Sequence, residues 1–141
     1  MYLKNNTLCI IISSIVLMFG CSGSKTNQEG MNDFIVNFGH GGGFVGKEER
    51  IAIDKKGKIS ISNGTHTKLS KSEINQILSN IQTLGLKDMN FSEPGNIYEF
   101  IEILDSGKVK RFAWDPGSTE VPASLRLLYS NLNYLVKNKS K

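Results

Sequence analysis

The residues whose types and spacing could do chemistry are few. The densest group is Phe38-Gly39-His40-Gly41-Gly42-Gly43-Phe44-Val45-Gly46, with five glycines in nine residues. Gly41 to Gly46 spells G-x-G-x-x-G, a pattern that cradles a pyrophosphate when a strand precedes it and a helix N-terminus follows. Here the charged, alternating stretch Lys47–Asp54 follows, so the dinucleotide reading fails. The kinase version of the pattern sits between strands, but its companion motifs are missing. His40 and His66 are the only histidines, and a metal site would have to recruit carboxylates from distant segments. Glu48 with Glu49, and Glu99 with Glu102, fall on strands and point to opposite faces, so neither couple makes a local acid–base pair. Tyr98, Tyr129, Tyr134 and Trp114 read as core and rim aromatics. The sequence therefore predicts a protein that is not an enzyme, with no catalytic residues, no metal and no cofactor.

One further residue has a chemical reading of a different kind. Leu8 to Phe19 is an apolar run without charge, preceded by Lys4 and closed by Leu17-Met18-Phe19-Gly20-Cys21. The run is shorter than the roughly 20 residues that span a bilayer, and it reads as a signal-peptide core. Its end resembles a bacterial lipobox, in which a small residue precedes the cysteine that takes the lipid. Gly20 and Cys21 match; Met18 and Phe19 are bulkier than the usual choices. Residues 1–20 are thus expected to be removed and Cys21 acylated, with more than one buried chain giving a stable anchor. Cys9 would go with the leader, leaving no disulfide and a fold that rests on its core. Residues 21–32 read as a lipidated, flexible tether. Ser22 after Cys21, rather than Asp, points to an outer membrane, with the domain facing the periplasm.

The elements that must hold the glycine stretch are legible from periodicity. Asp33–Phe38 alternates, with Phe34, Val36 and Phe38 on one face, and Lys47–Asp54 alternates with Ile51 and Ile53. Lys55-Lys56-Gly57 is a hairpin turn into Lys58–Ser62, where Ile59 and Ile61 point inward. Ser70 and Glu73 form a capping box for a helix whose stripe is Ile74, Ile77, Leu78, Ile81 and Leu84, with Gly85 as its stop. Pro94-Gly95 is expected to make a type II turn. Asn96–Leu104 is apolar on both sides, and Lys108–Trp114 returns beside it. A second helix runs from about Pro122 to Lys137, with Leu125, Leu128, Leu132, Leu135 and Val136 as its stripe.

The order β-β-β-α-β-β-α gives an α+β fold: an antiparallel sheet of about five strands with two helices packed on it. The domain is expected over residues 33–137, followed by a basic tail at 138–141. Its predicted core is Phe34, Val36, Ile51, Ile53, Ile59, Ile61, Ile77, Leu78, Ile81, Ile101, Ile103, Phe112, Leu128 and Leu132. The chain has 141 residues and a formal charge of +4, enough length for one domain. Its bases, Lys55, Lys56 and Lys58 around a turn and Lys108, Lys110 and Arg111 on a strand, read as solvated edges. No aromatic platform is interleaved with them, so no nucleic-acid partner is expected.

Taken together, these features make residues 33–137 resemble the emfourin family, inhibitors of thermolysin-type metalloproteases. The resemblance is carried by Gly42-Gly43-Phe44-Val45-Gly46, the charged strand Glu48–Asp54 and the helix Ile77–Leu84. It continues through the strand Tyr98–Leu104, its partner ending at Trp114, and the closing helix with Leu125, Leu128 and Leu132. It implies a secreted or envelope metalloprotease as partner, with Gly41, Gly42, Gly43, Phe44 and Val45 as the contact loop. The lipid leader departs from the family pattern and would place inhibition outside the cytoplasm. The alternative is an interaction or structural lipoprotein of the cell envelope with no inhibitory activity. The two differ at Phe44, which is either a loop tip or the start of a strand, packed inward. The rarity of large exposed aromatics favours the inward reading.

Overall fold

The computed structural model describes residues 34–44, 46–62, 64 and 66–139. Cys21, its leader, the tether and Val45 lie outside the described residues. The centre of the sheet is β1 (Ile35–Gly42), paired along its full length with β2 (Lys47–Asp54) on one side and β5 (Ile97–Asp105) on the other. Beyond β2 lie β3 (Lys58–Ile61) and β4 (His66–Lys68); beyond β5 lies β6 (Lys108–Trp114). The result is one six-stranded antiparallel sheet, β4-β3-β2-β1-β5-β6, with α1 (Lys71–Thr83) and α2 (Ala123–Lys139). The α+β class and the two helices are as expected. The additional strand is β4, whose three polar residues carry no hydrophobic alternation to reveal it.

Register decides which residues meet the helices. Val36 stands opposite Ile53 and Ile103, Phe38 opposite Ile51 and Ile101, and Ile101 opposite Phe112. All of these side chains but Ile51 form one buried cluster with Ile74, Ile77 and Ile81 of α1 and Leu125, Leu128, Leu132, Leu135 and Val136 of α2. Eleven of the fourteen expected core residues are buried in it; Ile51, Ile61 and Leu78 are only partly buried and pack against it. Those three sit on its margin. Trp114, Leu86, Phe38 and Leu125, absent from the expected list, are fully enclosed. Tyr129 bridges helix and sheet, edge-on to Phe38 and Trp114, while its hydroxyl donates to the Gly39 carbonyl at 3.1 Å. Burial raises its pKa, and the Glu99 charge adds to that.

Local signals behave as their chemistry dictates. Ser70 Oγ accepts from the Glu73 N–H, and the Glu73 carboxylate accepts from the Ser70 N–H, completing the capping box. At the other end Gly85, at φ 65°, allows a Schellman closure: its N–H reaches Gln82 O and that of Leu86 reaches Ile81 O. Two expectations change. Gly95 is not in the left-handed region a type II turn demands; it is small because the Asp115 carboxylate lies where its Cβ would be. Helix α2 continues to Lys139, into the stretch expected as a tail, and its last carbonyl accepts from Thr67 Oγ1 at 3.4 Å.

Leu128 has no exposed surface, whereas Leu78 lies on the margin. Leu128→Ala should destabilise by about 2–5 kcal/mol through lost transfer energy and a cavity. Leu78→Ala should cost clearly less, with urea unfolding as the measurement.

Candidate functional site

The glycine stretch is mostly strand. Gly39 to Gly42 continue β1, and only Gly43 to Gly46 form the connection to β2. Each strand glycine solves a steric problem. A Cβ on Gly41 would lie 2.7 Å from the Tyr98 hydroxyl oxygen and 2.8 Å from its ring carbon, so the tyrosine lies across a bare backbone. At Gly42 a Cβ would enter the Asn96 carbonyl, and φ there is 92°, so both space and conformation demand glycine. Gly41 is buried. Its bare backbone makes room for the Tyr98 ring.

The turn itself is pinned at its base. The Gly43 N–H donates to Asn96 O at 2.7 Å, tying the loop to the segment that leads into β5. The Gly46 N–H donates back to Gly43 O at 3.2 Å, closing a four-residue turn with Gly43 and Gly46 in left-handed conformations. Phe44 projects from this turn with a relative exposure of 107%. The inward reading of Phe44 is thereby overturned: the tight turn carries its Cα past the end of the sheet, where no core remains to receive the ring. At the same end of the sheet Ile97, the first residue of β5 and the partner of Gly42, is 57% exposed. Its Cγ1 lies 3.9 Å from where a Cβ on Gly43 would stand, so this end carries two exposed apolar side chains. Ile97 was legible only as one apolar residue of a strand; its register beside Gly42 is what brings it to the tip.

A polar constellation occupies the sheet face away from the helices. Phe100 is fully buried there, and the covering groups are two guanidiniums: Arg111 lies 4.2 Å and Arg50 5.4 Å from its ring centroid. Arg50 donates to Glu48 at 2.7 Å and to Glu102 at 2.8 Å; Arg111 donates to Glu48 at 2.6 Å and to Glu102 at 3.2 Å. Asn37 and the Tyr98 hydroxyl complete the carboxylates' partners. Arg111, expected as a solvated edge residue, is instead half-buried in this network. Burial pushes the Glu48 and Glu102 carboxyls up, but hydrogen bonds and charge outweigh it, chiefly Arg111 and Arg50 at Glu48, and Asn37 with both arginines at Glu102. Both acids end below their ordinary value of 4.5. Held ionised at neutral pH, they offer no proton for general-acid chemistry.

Glu99 and Glu49 lie on the other face, the first accepting from Trp114 Nε1 at 2.9 Å, the second 3.4 Å from His40 Nε2. Among the described residues no three His, Cys, Asp or Glu side chains come together to hold a metal. No helix among them is long and apolar enough to cross a membrane. No protein-family model matches this chain, and no curated protein matches it. The arrangement of Gly42, Gly43 and Phe44 on the β1–β2 turn is thus the feature on which a functional reading has to stand.

Because Glu48 and Glu102 bind protons more weakly in the folded protein than unfolded, the stability they confer is present above pH 4.5 and disappears as pH falls through their lowered values. Thermal melts should hold steady from pH 7 to about 5 and decline below that. A Glu48→Gln/Glu102→Gln variant should melt lower at pH 7 and show a shallower acid decline.

Proposed function

We propose that this chain is a membrane-anchored lipoprotein of the cell envelope whose domain is a binding module, presenting Phe44 to an apolar specificity pocket of a thermolysin-type metalloprotease and inhibiting it. The exposure of Phe44 on a pinned turn carries the reading. A large aromatic held in water by a rigid backbone loses its hydration penalty when a partner covers it, and little conformational freedom remains to be lost on binding. Enzymes of the thermolysin type, as a class, favour large apolar residues beside the scissile bond. Gly43 offers a backbone with no side chain to obstruct a cleft wall, and Ile97 extends the apolar contact. The likeness to emfourins in the Gly42–Gly46 motif and in the order of elements supports the same partner class. The charge-free run ending at Gly20-Cys21 supports the anchor.

Incubation of the purified protein with a thermolysin-type enzyme should slow peptide hydrolysis in a saturable, stoichiometric manner. Phe44→Ala should weaken that inhibition by about 2 kcal/mol or more, an anchor-residue effect, with the melting temperature unchanged because the ring packs against no core. Absence of inhibition at micromolar protein would remove the protease from the reading. A large loss of stability on Phe44→Ala would contradict the tip geometry. For the anchor, Cys21→Ser should move the protein from the membrane fraction to the soluble one and remove its acyl mass.

A further inference from the structure

The two ends of the sheet are chemically unlike. Ile35, the first residue of β1, pairs with Asp54 on one side and Leu104 on the other. The chain therefore enters the domain between the β2–β3 turn and the β5–β6 hairpin. Around this end stand Lys55 and Lys56 of the first turn, Lys58 opening β3, Lys68 closing β4, Lys71 opening α1 and Lys108 opening β6, all exposed. Three carboxylates near this end are already engaged, while Asp88 beside Lys87 is exposed. Asp54 caps the N–H groups of Lys56 and Lys58, Asp105 is 2.9 Å from Lys87, and Glu73 is 3.2 Å from Lys139. At the far end, with Phe44, lie Glu49, Glu93, Glu99 and Asp115, grouped around the ends of β1 and β6.

Two of these placements work against the fold. Lys58 and Lys68 stand directly opposite one another across β3 and β4, where like charges repel. Lys71 begins α1, the end of a helix that disfavours a cation. Charges that oppose local stability are expected where a surface serves a partner.

We propose that this lysine-rich end lies against an anionic lipid bilayer. The occupant follows from chain connectivity together with charge: residues 1–33 join the domain at this end, and they contain the charge-free run Leu8–Phe19 and Cys21. The inference rests on the anchored reading for the side on which the bilayer lies, whereas the attraction is a property of the lysines themselves. Each lysine within about 10 Å of an anionic surface strengthens the contact by roughly fivefold, and salt screens the effect. In this pose β1 rises away from the membrane and carries Phe44 roughly 25 Å outward, at about 3.4 Å per residue.

The test uses the full chain with vesicles of phosphatidylcholine alone or with 30% phosphatidylglycerol, read by flotation and by trace acetylation of each lysine with mass spectrometry. In phosphatidylglycerol vesicles, Lys55, Lys56 and Lys108 should acetylate severalfold more slowly than in phosphatidylcholine, while Lys47, at the Phe44 end, stays unchanged. Half-molar salt should erase the difference. The triple variant Lys55→Glu/Lys56→Glu/Lys108→Glu alters exposed residues of the β2–β3 turn and the start of β6, and in it the protection of Lys58, Lys68 and Lys71 should vanish. Equal acetylation in both vesicle types would overturn the proposal, as would stronger protection by duplex DNA than by vesicles at matched phosphate. Flotation reports separately on the anchor. A chain that fails to float with phosphatidylcholine but is still protected by phosphatidylglycerol would refute the anchored reading and leave the lysine-rich face standing.

Discussion

Everything in this domain hangs on β1 being paired on both sides over its whole length while carrying almost no side chains in its second half. A strand in the middle of a sheet is the place where bulk is hardest to accommodate, and here Gly39, Gly41 and Gly42 occupy it. The Tyr98 ring takes the space over Gly41, and the Asn96 carbonyl takes the space beside Gly42. The entropic cost of ordering glycines is offset by two full ladders of backbone hydrogen bonds. The same close approach fixes the β1–β2 turn against the entrance to β5, so that the turn is part of the sheet's frame rather than an appendage.

The sheet then divides its two faces by different means. Toward the helices, aliphatic and aromatic side chains interdigitate in one cluster. On the other face neither of the two described helices covers Phe100, and an array of two arginines and two glutamates closes over it instead. Guanidinium groups suit this role, being flat, weakly hydrated and able to stack on a ring while donating in plane to carboxylates. A lysine in place of Arg50 or Arg111 could hold one carboxylate but could not roof the ring.

Much of this was legible in advance where a local rule had a single physical solution. The capping box at Ser70, the Gly85 stop, the Gly57 turn and the stripes of both helices depend on neighbours a few residues apart, and the structure agrees with each. What escaped was set by register between distant strands. Glu48 and Glu102 are 54 positions apart in the chain and share two arginines only because β2, β1 and β5 are aligned as they are. Ile97 reaches the tip for the same reason. Strand β4 was silent because its residues answer to an edge and not to a core, and the glycine stretch was read as loop because glycine density signals turns far more often than a central strand.

The contrast between Gly42 and Phe44 separates what evolution can change from what it must keep. Gly42 is fixed by the backbone of a neighbouring strand, so drift there is closed off. Phe44, two residues away, is fully exposed and packs against none of the described core, so a side chain compatible with the turn could replace it without disturbing the frame. The surface offered by the turn can accordingly change at a single position while the scaffold stays constant. A library confined to Phe44 would vary the exposed surface of the turn while leaving the core untouched.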